Sequence, residues 1–360
     1  MITSMEIKYF RGLKELLVND LSRVNLIGGR NNVGKTSLLE ALFLIHDRNN
    51  PQMLLRQFAW RGVGSVSFLP EAMWGPFFSD YDFDKSIQVI LYDEKKKKES
   101  LSLHLNRKYV RKTIPAQPVG KSKFVREINT NQSAESSIAL DIEYVSNGHK
   151  KHISHLTLQA NMLGMDMDAP PTGGQHQIVY LPSSQRVDPQ EDAIRFGQLD
   201  VVGKQDVLVE FLQIIEPRLR GLSSVAAGNT SMVYADIGLD RKIPVPYTGD
   251  GMSRLLSIIS AIATLENGVL LIDEVENGIH YSVMPKIWEG IAKAARQFNC
   301  QVFATSHSYE CLTAAHQGCA GEYAADLNYV RLDKTEESIV AKSYTYEMLG
   351  AAIERGWEVR

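Results

Sequence analysis

Gly29-Arg30-Asn31-Asn32-Val33-Gly34-Lys35-Thr36 is the stretch that decides how this chain folds. It fits the pattern G-x-x-x-x-G-K-[ST], and its flanks supply the context that pattern needs. Ahead of it, Val24-Asn25-Leu26-Ile27 reads as a buried strand. Behind it, Ser37-Leu38-Leu39-Glu40-Ala41-Leu42-Phe43-Leu44-Ile45 reads as an apolar helix. A strand, a glycine-rich turn and a helix N-terminus form a cradle of converging backbone N–H groups suited to phosphate oxygens. Gly29 and Gly34 let the backbone curl, and the helix dipole adds positive potential. Lys35 can reach the outer phosphates of a nucleoside triphosphate, and the Thr36 hydroxyl can take Mg²⁺.

Much further along, Val269-Leu270-Leu271-Ile272 is followed by Asp273-Glu274. An apolar strand of this kind delivers its terminal carboxylates to the C-terminal edge of a parallel sheet, where α/β proteins bind ligands. Asp273 can hold Mg²⁺, and Glu274 can orient or deprotonate an attacking water. A strand capped by surface acids would look the same alone; the pairing with the cradle gives the pattern its weight. The long separation of the two implies an insertion between them.

The remaining chain fits that frame. Residues 1–18 read as a strand and a hairpin return, and 47–85 as short helices and loops. Residues 86–159 hold short alternating strands, the texture of an antiparallel sheet. Residues 160–177, with Pro170-Pro171 and Gly173-Gly174, read as a loop. The α/β texture returns with Ile178-Val179-Tyr180-Leu181. An amphipathic helix is expected over 206–222, with Val209, Leu212, Ile215 and Leu219 on one face, and another over 252–265. The fold class expected is α/β: a P-loop NTPase with a mostly parallel core sheet plus an inserted antiparallel β subdomain. The whole 1–360 is expected to be a single head. It divides into a first hairpin and P-loop unit (1–46), the inserted β region (86–159), a helical lobe (178–327) and C-terminal strands with a closing helix (328–360).

Of the 360 residues, 44% are apolar, and 39 Lys and Arg stand against 42 Asp and Glu for a net charge of −3. That balance gives no general pull toward nucleic acid or anionic membrane. Three cysteines, Cys300, Cys311 and Cys319, are too few for a disulfide framework and read as buried thiols of a reducing compartment. Cys311, His316 and Cys319 lack the second ligand pair of a metal site. No run spans a bilayer and the N-terminus lacks signal-peptide features, so a cytoplasmic location without membrane partners is expected. No guanine-reading N-K-x-D motif is present, which favours ATP over GTP.

These motifs together resemble the ABC-type ATPase heads of the SMC, RecF and OLD (overcoming lysogenization defect) families, and more closely the AAA15 or AAA21 ATPases. Phe10-Arg11-Gly12 is similar to their first hairpin. The form Gly29-x-Asn31-Asn32-x-Gly34-Lys35-Thr36-Ser37 is similar to their cradle, 273–280 to their acid pair and the D-loop after it, Thr305-Ser306-His307-Ser308 to their switch histidine, and 352–360 to their C-terminus. The resemblance implies that His307 contacts the γ-phosphate. It implies that Gln185 is a Q-loop glutamine near Mg²⁺, against a plain loop amide. It places a signature loop at Thr248-Gly249-Asp250-Gly251-Met252-Ser253-Arg254, against an ordinary helix cap; this loop departs from the Leu-Ser-Gly-Gly form. It implies a homodimer or higher oligomer closed around ATP and Mg²⁺, working on DNA or in phage defence. The stretch after His307 is too short for a TOPRIM nuclease, so a separately encoded nuclease or toxin is the expected effector. A nucleotide-gated scaffold with little turnover is the other class of function.

Arg11 and Arg30 are further cations near the cradle. Residues 95–126 form a basic arm: the lysine run 95–98, then Arg107, Lys108, Arg111, Lys112, Lys121, Lys123 and Arg126, against the single acid Glu99. Such a cluster can follow DNA phosphates, meet an acidic protein face, or be a solvated hairpin. Aromatic interleaving is thin, with Tyr109 and Phe124.

Overall fold

The computed structural model describes residues 1–110, 136–147, 151–159, 162–167, 177–183, 188–228, 230–336 and 338–358. From the N-terminus, β1 (Ile2–Phe10) and β2 (Leu13–Val18) form a hairpin, and β3 (Val24–Gly29) runs into α1 (Lys35–His46). The helices α2 (Met53–Trp60) and α3 (Pro70–Met73) precede β4 (Ile87–Asp93), β5 (Lys98–Val110), β6 (Ser136–Ser146), β7 (His152–Gln159) and β8 (Met162–Met167). Then come β9 (Ile178–Leu181), α4 (Pro189–Val201), α5 (Asp206–Leu212), β10 (Gly221–Ala227), β11 (Thr230–Asp236) and β12 (Ile243–Pro244). After them run α6 (Asp250–Thr264), β13 (Val269–Ile272), α7 (Met284–Gln297), β14 (Gln301–Thr305) and α8 (Tyr309–Gly318). The last elements are β15 (Leu327–Lys334), β16 (Ile339–Thr345) and α9 (Tyr346–Glu354).

The described strands form a six-stranded sheet in the order β16-β15-β3-β14-β13-β9, a seven-stranded sheet in the order β2-β1-β4-β5-β6-β7-β8, and a small sheet of β10, β11 and β12. In the first, β15, β3, β14, β13 and β9 run parallel and β16 is antiparallel at the edge. The seven-stranded sheet is antiparallel throughout: β4 pairs with β1, so the N-terminal hairpin and the strands of 86–159 share one sheet.

Side-chain alternation along the parallel strands separates two cores, since successive residues of a strand point to opposite faces. Leu26, Leu270, Ile272, Val302 and Ala304 face a core shared with the helices α4 to α8. Ile27, Leu271 and Phe303 face the opposite core, which holds α1 and the inner face of the seven-stranded sheet. α1 lies between the two sheets with every residue from Ser37 to His46 buried. A helix apolar on most sides suits that position, and its buried acid, Glu40, is paired with arginines.

Two expectations change. The helix expected over 206–222 ends at Leu212, and Gly221 already begins β10. Pro217 lacks an amide hydrogen and restricts Glu216, so a helix cannot run through it. Leu219 stays buried without helical geometry. Within the 160–177 stretch read as a loop, residues 162–167 form β8, paired to β7 from Ser154↔Met167 to Gln159↔Met162. No helix among the described residues is long and apolar enough to cross a membrane.

Trp288 of α7 is fully buried in the core beneath the parallel sheet. Trp288→Ala is expected to cost about 3–5 kcal/mol through lost burial and a residual cavity, measured as the shift in urea unfolding.

Candidate functional site

The loop after β3 turns on backbone that few side chains adopt. Gly29 has φ of 130°, Asn32 of 62° and Gly34 of 87°. Gly34 caps α1, and a Cβ there would also strike Leu13 of the hairpin. Glycine is therefore required twice over at this position. The Lys35 ammonium donates to the carbonyls of Gly29 at 2.7 Å and Arg30 at 3.0 Å, which ties the loop into a ring. Burial lowers the Lys35 pKa, opposed by Asp273, Glu274 and Glu276. Asn31 and Asn32 are exposed, while Ser37 is buried at the start of α1.

Thr36 and Asp273 are 237 residues apart in sequence, and the fold brings them into contact. The Thr36 hydroxyl lies 3.1 and 3.2 Å from the two carboxylate oxygens of Asp273. The topology explains this: β13 is separated from β3 by β14 alone, and all three strands end at one edge. Asp273 is 5% exposed. It also accepts from Thr305 Oγ1 of β14 at 2.6 Å and from Ser183 Oγ, just beyond β9, at 3.2 Å. Three strand ends are thus laced to one carboxylate. The donor set is oxygen only, a hydroxyl beside a carboxylate, which suits a hard cation such as Mg²⁺. Among the described residues no group of three or more His, Cys, Asp or Glu side chains forms a metal cage.

Glu274 adopts a left-handed backbone with φ of 49°. Strain of this kind in a non-glycine residue costs of order 1–3 kcal/mol and persists where the surroundings enforce it. Two contacts do so: Thr305 Oγ1 accepts from the Glu274 amide at 2.9 Å, and Asn277 Nδ2 donates to the Glu274 carboxylate at 2.8 Å. His307, half exposed, follows β14 with Nδ1 3.7 Å from Glu274 and 3.4 Å from Glu276.

Arg254 of α6 carries a contact that the sequence reading left without a role. Its guanidinium donates to the carbonyl of Asp273 at 2.9 Å, and reaches those of Glu274 and Pro182 at 3.4 Å. Burial lowers its pKa. The signal available was an arginine four residues into an apolar helix. The expected signature residues sit at the start of that helix: Gly249 has φ of 127° and caps α6 without a side-chain bond, Gly251 lies in the first turn, and Thr248 Oγ1 donates back to Val245 O at 2.7 Å. A cleft of about 390 Å³ opens beside α6, lined by Ser183, Asp192, Ser253, Arg254 and Asn277, among others.

Gln185 lies outside the described residues. So does the basic arm from 111 onward; its described part forms the β4–β5 turn and the strand β5. Tyr109 in that strand is buried and donates to Asp166. Arg11 is largely buried, with Nε 3.1 Å from a Glu40 carboxylate that is itself fully buried and held bidentately by Arg61. Burial drops the Arg11 pKa to about 10. Arg30 is exposed. The three cysteines are free, buried and, by burial, pushed up to about 12.

With this geometry in hand, comparison with known proteins defines the class. Residues 24–312 match the family described as "AAA domain, putative AbiEii toxin, Type IV TA system". The chain belongs to this AAA_21 family and is an ABC-type ATPase head, as the motif resemblance implied. It is 23% identical over 372 aligned positions, 97% of each chain, to an "ATP/GTP phosphatase" of Helicobacter pylori. It is 29% identical over 145 positions, 40% of this chain and 54% of the other, to the uncharacterized protein MJECL10 of Methanocaldococcus jannaschii. Among solved structures, the SmcHead bound to the C-winged helix domain of ScpA shares the fold, with a TM-score of 0.52, 10% identity and coverage of 98% and 99% of the two chains.

Asp192 of α4 lines the cleft and accepts from Ser257 Oγ of α6 at 2.6 Å and from Arg195. Burial raises its pKa from 3.8 to about 6. The folded chain therefore holds this proton more tightly than the unfolded one, so stability falls as pH rises from about 4 to about 6. Asp192→Asn is expected to remove that loss and gain about 2–3 kcal/mol on wild type between pH 4 and 7, read from urea unfolding at each pH.

Proposed function

We propose that the chain binds ATP with Mg²⁺ at the loop 29–36 and hydrolyses it between two copies of itself. The contact between Thr36 and Asp273 carries this reading, because it closes the phosphate-binding loop onto the acid pair. Lys35 and the N–H groups of the loop, including those of Asn31, Asn32 and Ser37, would hold the outer phosphates. Thr36 and Asp273 would hold Mg²⁺, with Gln185 as a further ligand. When bound, the ion neutralises charge on the phosphate oxygens. Glu274 orients the attacking water and accepts its proton, and His307 contacts the γ-phosphate. The match to an ATP/GTP phosphatase over nearly the whole chain supports turnover, and the absence of a guanine-reading motif favours ATP. The resemblance to ATPase heads that close in pairs supports this arrangement, in which the helix start at Thr248, Gly249 and Gly251 would meet the partner copy's γ-phosphate.

The AbiEii-type description of the family supports a setting in defence or toxin control, with a separately encoded nuclease or toxin as effector. Contact with DNA through the basic arm rests on its charge. One observation favours a second reading, a nucleotide-gated scaffold with little turnover. Asp250 puts a carboxylate in the first turn of α6, where it opposes an incoming phosphate.

Glu274→Gln is expected to lower ATP turnover by about a hundredfold or more while ATP still binds, and to trap an ATP-dependent dimer in size-exclusion chromatography. Turnover equal to wild type would remove Glu274 from the reaction. A wild type that dimerises with ATP at negligible turnover would favour the scaffold.

A further inference from the structure

We propose that Glu276 is a positioning residue for His307. The inference rests on the proposed ATPase site and adds the group that aims its histidine.

Glu276 makes three contacts with the residues that follow β14. Glu276 Oε1 accepts from Ser306 Oγ at 2.8 Å and from the His307 amide at 3.1 Å, and it lies 3.4 Å from His307 Nδ1. The Glu276 side chain is 11% exposed while the His307 side chain is 50% exposed. Packing therefore does not fix the imidazole, and its orientation depends on polar contacts. Glu274 also faces the ring, at 3.7 Å, but its carboxylate is held by Asn277. Glu276 is anchored on the same backbone that carries the ring.

A carboxylate is a costly choice for a mere loop staple. A neutral amide oxygen would accept the same two bonds without the desolvation of a charge. The second Glu276 oxygen is buried with no hydrogen-bond partner among the described residues, so the loop does not use it. The feature that does need the charge is the half-exposed ring beside it. Glu276 holds Nδ1 as the inward nitrogen and leaves Nε2 as the outward one, in the way that a partner at one ring nitrogen fixes the role of the other.

The test is a cycle of wild type, Glu276→Gln, His307→Ala and the double variant, with steady-state ATP hydrolysis as one readout. Glu276→Gln should lower kcat about tenfold to a hundredfold with little change in KM, and should add nothing in the His307→Ala background. An equal loss in both backgrounds, or no loss with wild type active, overturns the inference and leaves the ATPase reading intact. An inactive wild type overturns both. The second readout needs no turnover. The His307 ring signal, assigned by its disappearance in His307→Ala, should shift in the nitrogen NMR spectrum of Glu276→Gln. A signal unmoved from wild type overturns the inference even if kcat falls.

Discussion

The Asp273 carboxylate is the point on which the architecture converges. A nearly buried charge needs donors, and Asp273 draws them from α1, β14 and the segment after β9. Each donor is a hydroxyl at the C-terminal edge of the parallel sheet. Hydrogen bonds to a charged acceptor are worth about 1.5–3 kcal/mol apiece, so the register of β3, β14, β13 and β9 is coupled to the chemistry of the site. The sheet does more than deliver residues to an edge. It is closed there by the group that the edge presents.

Around that point the molecule is asymmetric. On one side, the loop carrying Lys35 is sealed by its own carbonyls, and Gly34 packs on Leu13 of the N-terminal hairpin. On the other side, the turn holding Glu274, Glu276 and Asn277 is left-handed at its first residue and fastened by side chains as well as by backbone bonds. Arg254 spans the gap between α6 and this turn, gripping the backbone carbonyls of the acid pair itself.

The two poles of the site were legible because each is a local pattern: a glycine turn between strand and helix, and an apolar strand ending in two acids. Their meeting was not in either pattern, since it depends on β14 lying between β3 and β13. The helix expected over 206–222 shows the limit of periodicity. Leu219 continues the apolar spacing because it is buried, yet Pro217 has already ended the helix, and burial alone does not state backbone geometry. The contacts of Glu276, Asn277 and Arg254 arise from loop conformation and leave no spacing to read. Glu274 gives no warning of its left-handed backbone, because the residue there is not glycine.

The placement of α1 has a mechanical corollary. A rod packed between two β layers cannot pivot without tearing apolar surface from both, so the half of the head built around α1 is held rigid. On the other face of the parallel sheet, α4, α5 and α6 share an apolar core with it, and the Arg254 guanidinium ties α6 to the carbonyls of the acid pair beside an open cleft. A swing of that lobe would have to repack this core and break the guanidinium tie together.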